Sequence, residues 1–207
     1  MNSSIGADYF IDCGGLKLLF PVLMEKALRE GSPDELHATQ AQCVSILLSL
    51  VLHSRPDFRE RVLAKLEENE HEKMKKLMAI FLAVAEATLK VDVHRKAILN
   101  ELDLDDGREE EQAIMNLKLE KGYLTQLSIA FLFFAMPALH PDLGEYSRRL
   151  CASMEVDVQT LRSLSEELLA QTADPTTQTI ITKYLHSFPY LSFSPSHFPV
   201  SSAFPRN

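Results

Sequence analysis

Gly14 and Gly15 stand between Tyr9-Phe10-Ile11-Asp12-Cys13 and the apolar residues 16–24, which begin at Leu16. Two consecutive residues without a Cβ let the backbone turn sharply between helices, because neither pays for positive φ. Apolar residues on both sides require that each helix be covered by a neighbour. Helix, Gly-Gly-Leu and short apolar helix together form the junction at which one helical repeat hands over to the next. Since this junction (Gly14, Gly15, Leu16) lies close to Met1, the chain is expected to be the rear part of a longer solenoid. The helix after it is apolar on more than one side. Some of Leu18, Leu19, Phe20, Val22 and Leu23 are therefore expected to stand exposed, giving an N-terminal face capable of self-association.

Ser32-Pro33-Asp34-Glu35 supplies an N-cap hydroxyl, a proline at the first helical position and a glutamate at N3, which is a capping box. The helix it opens carries Cys43, Ile46, Leu47, Leu50 and Val51 at spacings of three and four, and Pro56 sets its end near His53-Ser54. A shorter helix runs through Phe58, Val62, Leu63 and Leu66. Asn69 with Glu72 makes a second capping box, followed by a stripe of Met74, Leu77, Met78, Phe81, Leu82, Ala85 and Leu89. Short helix, long helix and middling helix in succession are the grammar of one armadillo repeat. Leu16, Leu19, Leu23, Ile46, Leu47 and Leu50 are expected to share one core with Leu63, Leu77 and Phe81.

The pattern then changes. Glu101, Asp103, Asp105, Asp106, Glu109, Glu110 and Glu111 crowd into a run relieved by Arg108 and centred on Gly107. Like charges at this density oppose a helix, so a solvated loop is expected there. Two readings of it stay open: a loop that attracts basic segments of partner proteins, and a solvated loop with no partner. A long helix follows to about Ala135 and stops or kinks at Pro137. Pro141 opens another, ending near Cys151. A helix with Val158, Leu161, Leu164, Leu168 and Leu169 comes next, and Asp174-Pro175 caps a last one. Residues 1–187 thus read as one helical domain. Residues 188–207 mix Pro189, Pro195, Pro199 and Pro205 with serines and aromatics, and are expected to form a disordered tail.

Composition narrows the function. A formal charge of −8 and a pI near 5.4 argue against direct nucleic-acid binding, which needs a basic surface, and favour basic protein partners. The apolar run 129–139 is far shorter than the ~20 residues of a membrane span and reads as a core helix, so no membrane partner is expected. Met-Asn-Ser-Ser-Ile-Gly has neither the basic nor the apolar region of a secretory leader. Cys13, Cys43 and Cys151 are odd in number and widely spaced, as buried thiols of a reducing compartment would be.

Catalytic and metal motifs fail on spacing. His71-Glu72 begins like a zinc-protease helix, but Lys75 occupies the position of the second ligand histidine. Asp103-x-Asp105 echoes a calcium loop whose glycine falls one position early. There is no nucleophile elbow, no phosphate-cradling glycine loop and no Cys-x-x-Cys. No catalytic residue, metal site or cofactor is expected, and the chain reads as a non-enzyme.

Tyr9-Phe10, Gly14-Gly15-Leu16, Phe20-Pro21, Met24, Cys43-Val44-Ser45-Ile46-Leu47 and Ser49-Leu50 occur in an order that resembles the C-terminal armadillo region of the β-catenin-like protein 1 family. Arg61-Val62-Leu63, Lys65-Leu66-Glu67-Glu68-Asn69-Glu70 and Leu77-Met78 continue it, as does the acidic run ending Glu109-Glu110-Glu111. The resemblance implies an all-α, armadillo/HEAT-like short α-solenoid with a helical C-terminal cap. It also implies a nuclear scaffold tied to pre-mRNA splicing through the NineTeen complex, which recognises basic, nuclear-localisation-type peptides. The chain itself holds no such signal, and Lys73, Lys75 and Lys76 fit the polar face of a helix. Two functions stay open: an interaction scaffold for splicing factors, and a stand-alone helical domain with a small-molecule or catalytic pocket.

Overall fold

Helices α1 (Ser3–Asp12) and α2 (Leu16–Leu23) meet at the glycine pair in the computed structural model, which describes residues 3–26, 32–102 and 107–187. Gly14 turns with φ +82°, and a Cβ on Gly15 would lie 2.5 Å from the Phe10 ring, so the first glycine supplies the turn and the second the close approach. Asp8 accepts from Arg55 Nε at 2.7 Å and ties α1 to the segment just before Pro56.

Helix α3 (Pro33–His53) opens on the expected capping box: Ser32 Oγ accepts from Glu35 N at 3.3 Å, and Glu35 Oε2 from Ser32 N at 2.8 Å. Its buried face is Cys43, Val44, Leu47, Leu50 and Val51. Ile46, expected in the core, is 39% exposed, because one residue step turns the helix ~100° away from Leu47. By length and composition α3 could cross a membrane over Glu35–His53, yet this buried face packs inside the protein.

Helix α4 (Pro56–Val93) is two helices joined at a break. Glu68 is extended, and Asn69, Glu70 and His71 take φ of 55°, 54° and 61°. Asn69 therefore caps nothing, since an N-cap needs extended backbone. The Glu68 carboxylate takes Lys65 at 2.6 Å and Lys73 at 3.3 Å. Lys73 is buried, with its ammonium 5.4 Å from the Phe20 ring, rather than on a polar face. Met74, Leu77, Met78 and Phe81 line the core as expected, but Leu89 is 60% exposed while Thr88 and Val91 point inward.

Helices α5 (Arg95–Leu102), α6 (Gly107–Glu120), α7 (Tyr123–Leu139), α8 (Pro141–Ser153), α9 (Val158–Gln171) and α10 (Pro175–Ser187) complete the chain, and no strand occurs among the described residues. The single long helix expected after the acidic run is divided at Gly122, φ +91°, where α6 and α7 bend by 69°. Helix α7 is the axis of the molecule. It is buried on every side from Thr125 to Met136 and packs on α3, α4, α8 and α9. The apolar run 129–139 is a core helix, as its sequence predicts. Helices α3 and α10 also touch, with Thr177 Oγ1 3.1 Å from His53 Nε2, so the C-terminal helices fold back on the first repeat. The whole is an all-α, armadillo-like stack.

The N-terminal face is better covered than its sequence suggests. Leu19, Phe20 and Leu23 are buried under α3, Val22 is half-buried, and Leu18 alone of the five is exposed, at 73%. The expected tail, 188–207, lies outside the described residues.

Candidate interaction surface

The acidic run is partly helical rather than a loop. Glu101 falls in α5, Asp103, Asp105 and Asp106 lie outside the described residues, and Glu109, Glu110 and Glu111 occupy the first turns of α6. Carboxylates at a helix N-terminus face its unsatisfied N–H groups and are stabilised there, which offsets their mutual repulsion. Glu109 and Glu111 are exposed, and Glu110 is half-buried.

Glu111 is already engaged. Both of its oxygens bond the Arg95 guanidinium, with Nη1–Oε2 at 3.3 Å, and this pair clips α5 to α6. The hydrogen bond from Arg95 holds the Glu111 carboxyl below its ordinary range. Close by, Lys118 Nζ meets Asp92 at 2.8 Å. Glu109 and Glu110 are thus the described members of the run that best fit a basic partner. The other residues singled out by sequence, Gly14, Gly15 and Leu16, shape the α1–α2 turn and bury Leu16, a structural role.

A second feature escaped the sequence. At the corner where the end of α7, helix α8 and the start of α9 converge, a cavity of about 600 Å³ opens over Phe133, Phe134, Cys151, Val156 and Leu161. Arg148, Glu155 and Asp157 stand at its rim. The α8–α9 connection that walls it contains Glu155 in the left-handed region at φ +58°. Asp157 is fixed as the N-cap of α9, accepting from Thr160 N at 2.7 Å, which lowers its carboxyl. Burial pushes the Cys151 thiol up to about 11, so it is protonated and a poor nucleophile at neutral pH. Cys43 is likewise buried, whereas Cys13 is exposed, contrary to expectation. Among the described residues, no three His, Cys, Asp or Glu side chains converge so as to hold a metal ion. The cavity offers apolar contact and shape, with charged groups at its rim.

Residues 2–166 match the family described as catenin-beta-like, Arm-motif containing nuclear. The chain belongs to that family. Over 130 residues it is 27% identical to beta-catenin-like protein 1 of Homo sapiens, a stretch covering 59% of this chain and 23% of the human protein. The family match takes in α1 to α8 and the first half of α9, so the glycine junction, the acidic run and most of the cavity wall are catenin-beta-like ground. Arm-motif proteins present stacked helices to protein partners, and this chain is a protein-interaction helical domain of that kind.

Proposed function

We propose that this catenin-beta-like chain is a non-enzymatic scaffold that binds basic segments of partner proteins in the nucleus, among them splicing factors of the NineTeen assembly. The Arm-motif match over residues 2–166 carries the reading. A formal charge of −8, with Glu109 and Glu110 presented at the start of α6, supports basic ligands over nucleic acid. Each exposed ion pair contributes only ~0.2–1 kcal/mol, so the acidic run selects and steers partners and does not by itself bind them tightly.

The test is titration of the full chain with a fluorescent Lys/Arg-rich peptide across an ionic-strength series. Affinity falls as salt rises through ~0.15 M, where the screening length shortens to ~8 Å. Replacing Asp105, Asp106, Glu109, Glu110 and Glu111 with Asn and Gln weakens binding severalfold and flattens the salt dependence. Unchanged binding in that variant overturns the role of the run. Co-precipitation of NineTeen components with the wild type, lost in the variant, tests the splicing link.

A further inference from the structure

The cavity at the α7–α8–α9 corner has a candidate occupant in the chain itself. Helix α9 runs antiparallel to α7: its first turn lines the cavity with Phe133 and Phe134, while Leu168, Gln171 and Thr172 lie beside Leu124, Thr125 and Ser128 at the other end. Helix α10 then returns along α9. Gln178 Nε2 donates to Thr172 O at 2.6 Å, and further along α10 the Tyr184 ring stands edge-on to Phe131 with centroids 5.9 Å apart. Phe131 lies just before the cavity-lining Phe133 and Phe134. Because α10 packs on α9 and the first turn of α9 lines the cavity, Ser187, nearly one turn beyond Tyr184, ends α10 level with the start of α9, on the order of one helix diameter (~10 Å) from the cavity. Three or four extended residues, at ~3.3 Å each, cover that span.

What leaves α10 matches what the cavity would accept. Residues 188–204 contain Phe188, Tyr190, Phe193, Phe198 and Phe204 and no Asp, Glu, Lys or Arg. Such a segment buries aromatic area on Phe133, Phe134, Val156 and Leu161 without burying charge. Pro189 and Pro199 follow Phe188 and Phe198 directly. A following proline restricts a residue to extended backbone and lowers the entropy lost on docking. A volume of about 600 Å³ lies within the range of small-ligand pockets and holds more than one ring. We propose that this cavity is a docking site for the chain's own segment 188–204, bound in cis. The proposal is independent of the acidic run and of the splicing reading.

The experiment is methyl NMR of the full chain against a variant in which Phe188, Tyr190, Phe193, Phe198 and Phe204 are all replaced by Ser, changes that leave the described core intact. Ring-current shifts are expected to disappear from the methyls of Val156, Val158 and Leu161, while those of Leu16 and Leu63 stay in place. Ala152→Arg at the exposed rim, with the tail unchanged, reproduces the loss. Unaltered signals at Val156, Val158 and Leu161 overturn the proposal, as do changes confined to another surface. Shifts that grow with concentration alongside a doubled mass also overturn it, because the occupant is then the tail of a second copy.

Discussion

Gly144 of α8 lies against Pro137 of α7 so closely that a Cβ at position 144 would stand 2.4 Å from the proline Cα. The missing side chain and Pro137, which lies inside the last turn of α7 without stopping it, form one contact, and it fixes the α7–α8 crossing that shapes the cavity. Backbone cannot retreat as a flexible side chain can. Overpacking costs ~1–3 kcal/mol and the gain in helix propensity returns about 1 kcal/mol, so Gly144→Ala is expected to destabilise the protein by up to ~2 kcal/mol net. Urea unfolding followed by circular dichroism checks this, and an unchanged or raised midpoint contradicts it.

Leu47 and Ile46 are neighbours with opposite fates. Leu47 is 0% exposed and Ile46 39%. A carboxylate at position 47 has no partner in an apolar core, so Leu47→Asp is expected to unfold the domain. Ile46→Asp costs no more than ~1 kcal/mol. Loss of helical circular dichroism in the first variant alone is the expected result, and equal behaviour of the two refutes the assigned face.

The contrast between these residues shows what the sequence made legible. Periodicity located α3, its capping box and the core helix α7, because caps and apolar spacing are local properties. It erred where tertiary contacts decide rotation: Ile46 and Leu89 carry the right residue type at the wrong angle. Lys73 reads as a surface residue from sequence because Glu68 and Phe20, distant in sequence or across a break, are what make its burial tolerable. The acidic run misled through repulsion alone, since Arg95 and the α6 N-terminus offset it. The cavity was invisible, being formed by three helices whose crossing depends on Pro137 and Gly144.

Asn69, Glu70 and His71 form three consecutive left-handed residues, none of them glycine. Each such residue costs about 1–2 kcal/mol. Glu70 is exposed, so Glu70→Gly is expected to raise stability by about 1 kcal/mol in denaturant unfolding. His71→Gly gains the same backbone relief but loses the ring stacked on Tyr146 at 3.8 Å, a contact worth ~0.5–1.5 kcal/mol, and is expected to be near neutral. A destabilised Glu70→Gly protein contradicts the strain at this break.

The three thiols should separate by reactivity. Cys13 is exposed, whereas burial raises the Cys43 and Cys151 thiols, the latter to about 11. At pH 8 only about a thousandth of Cys151 is thiolate even where reagent reaches it. Titration of the native chain with an aromatic disulfide at pH 8 is expected to release one equivalent rapidly and two slowly. The Cys151 rate then rises about tenfold per pH unit towards 11 while the fold persists. Two fast equivalents contradict the assigned burial.

Self-association is expected to be weak, because α3 covers most of α2. Ile5, Tyr9 and Leu18 remain, exposed at 67%, 70% and 73%. Ile5 and Tyr9 lie one turn apart on α1 and form an apolar stripe there. A stripe of this size falls short of the ~1,000 Å² that a stable interface buries, so it supports a transient contact. Sedimentation equilibrium is expected to show an average mass that rises slowly across tens of micromolar. The variant carrying Ile5→Lys, Tyr9→Lys and Leu18→Lys together is expected to stay monomeric over the same range with an unchanged melting temperature, since none of the three supports the core. A wild-type mass that does not change with concentration removes this face as a contact surface.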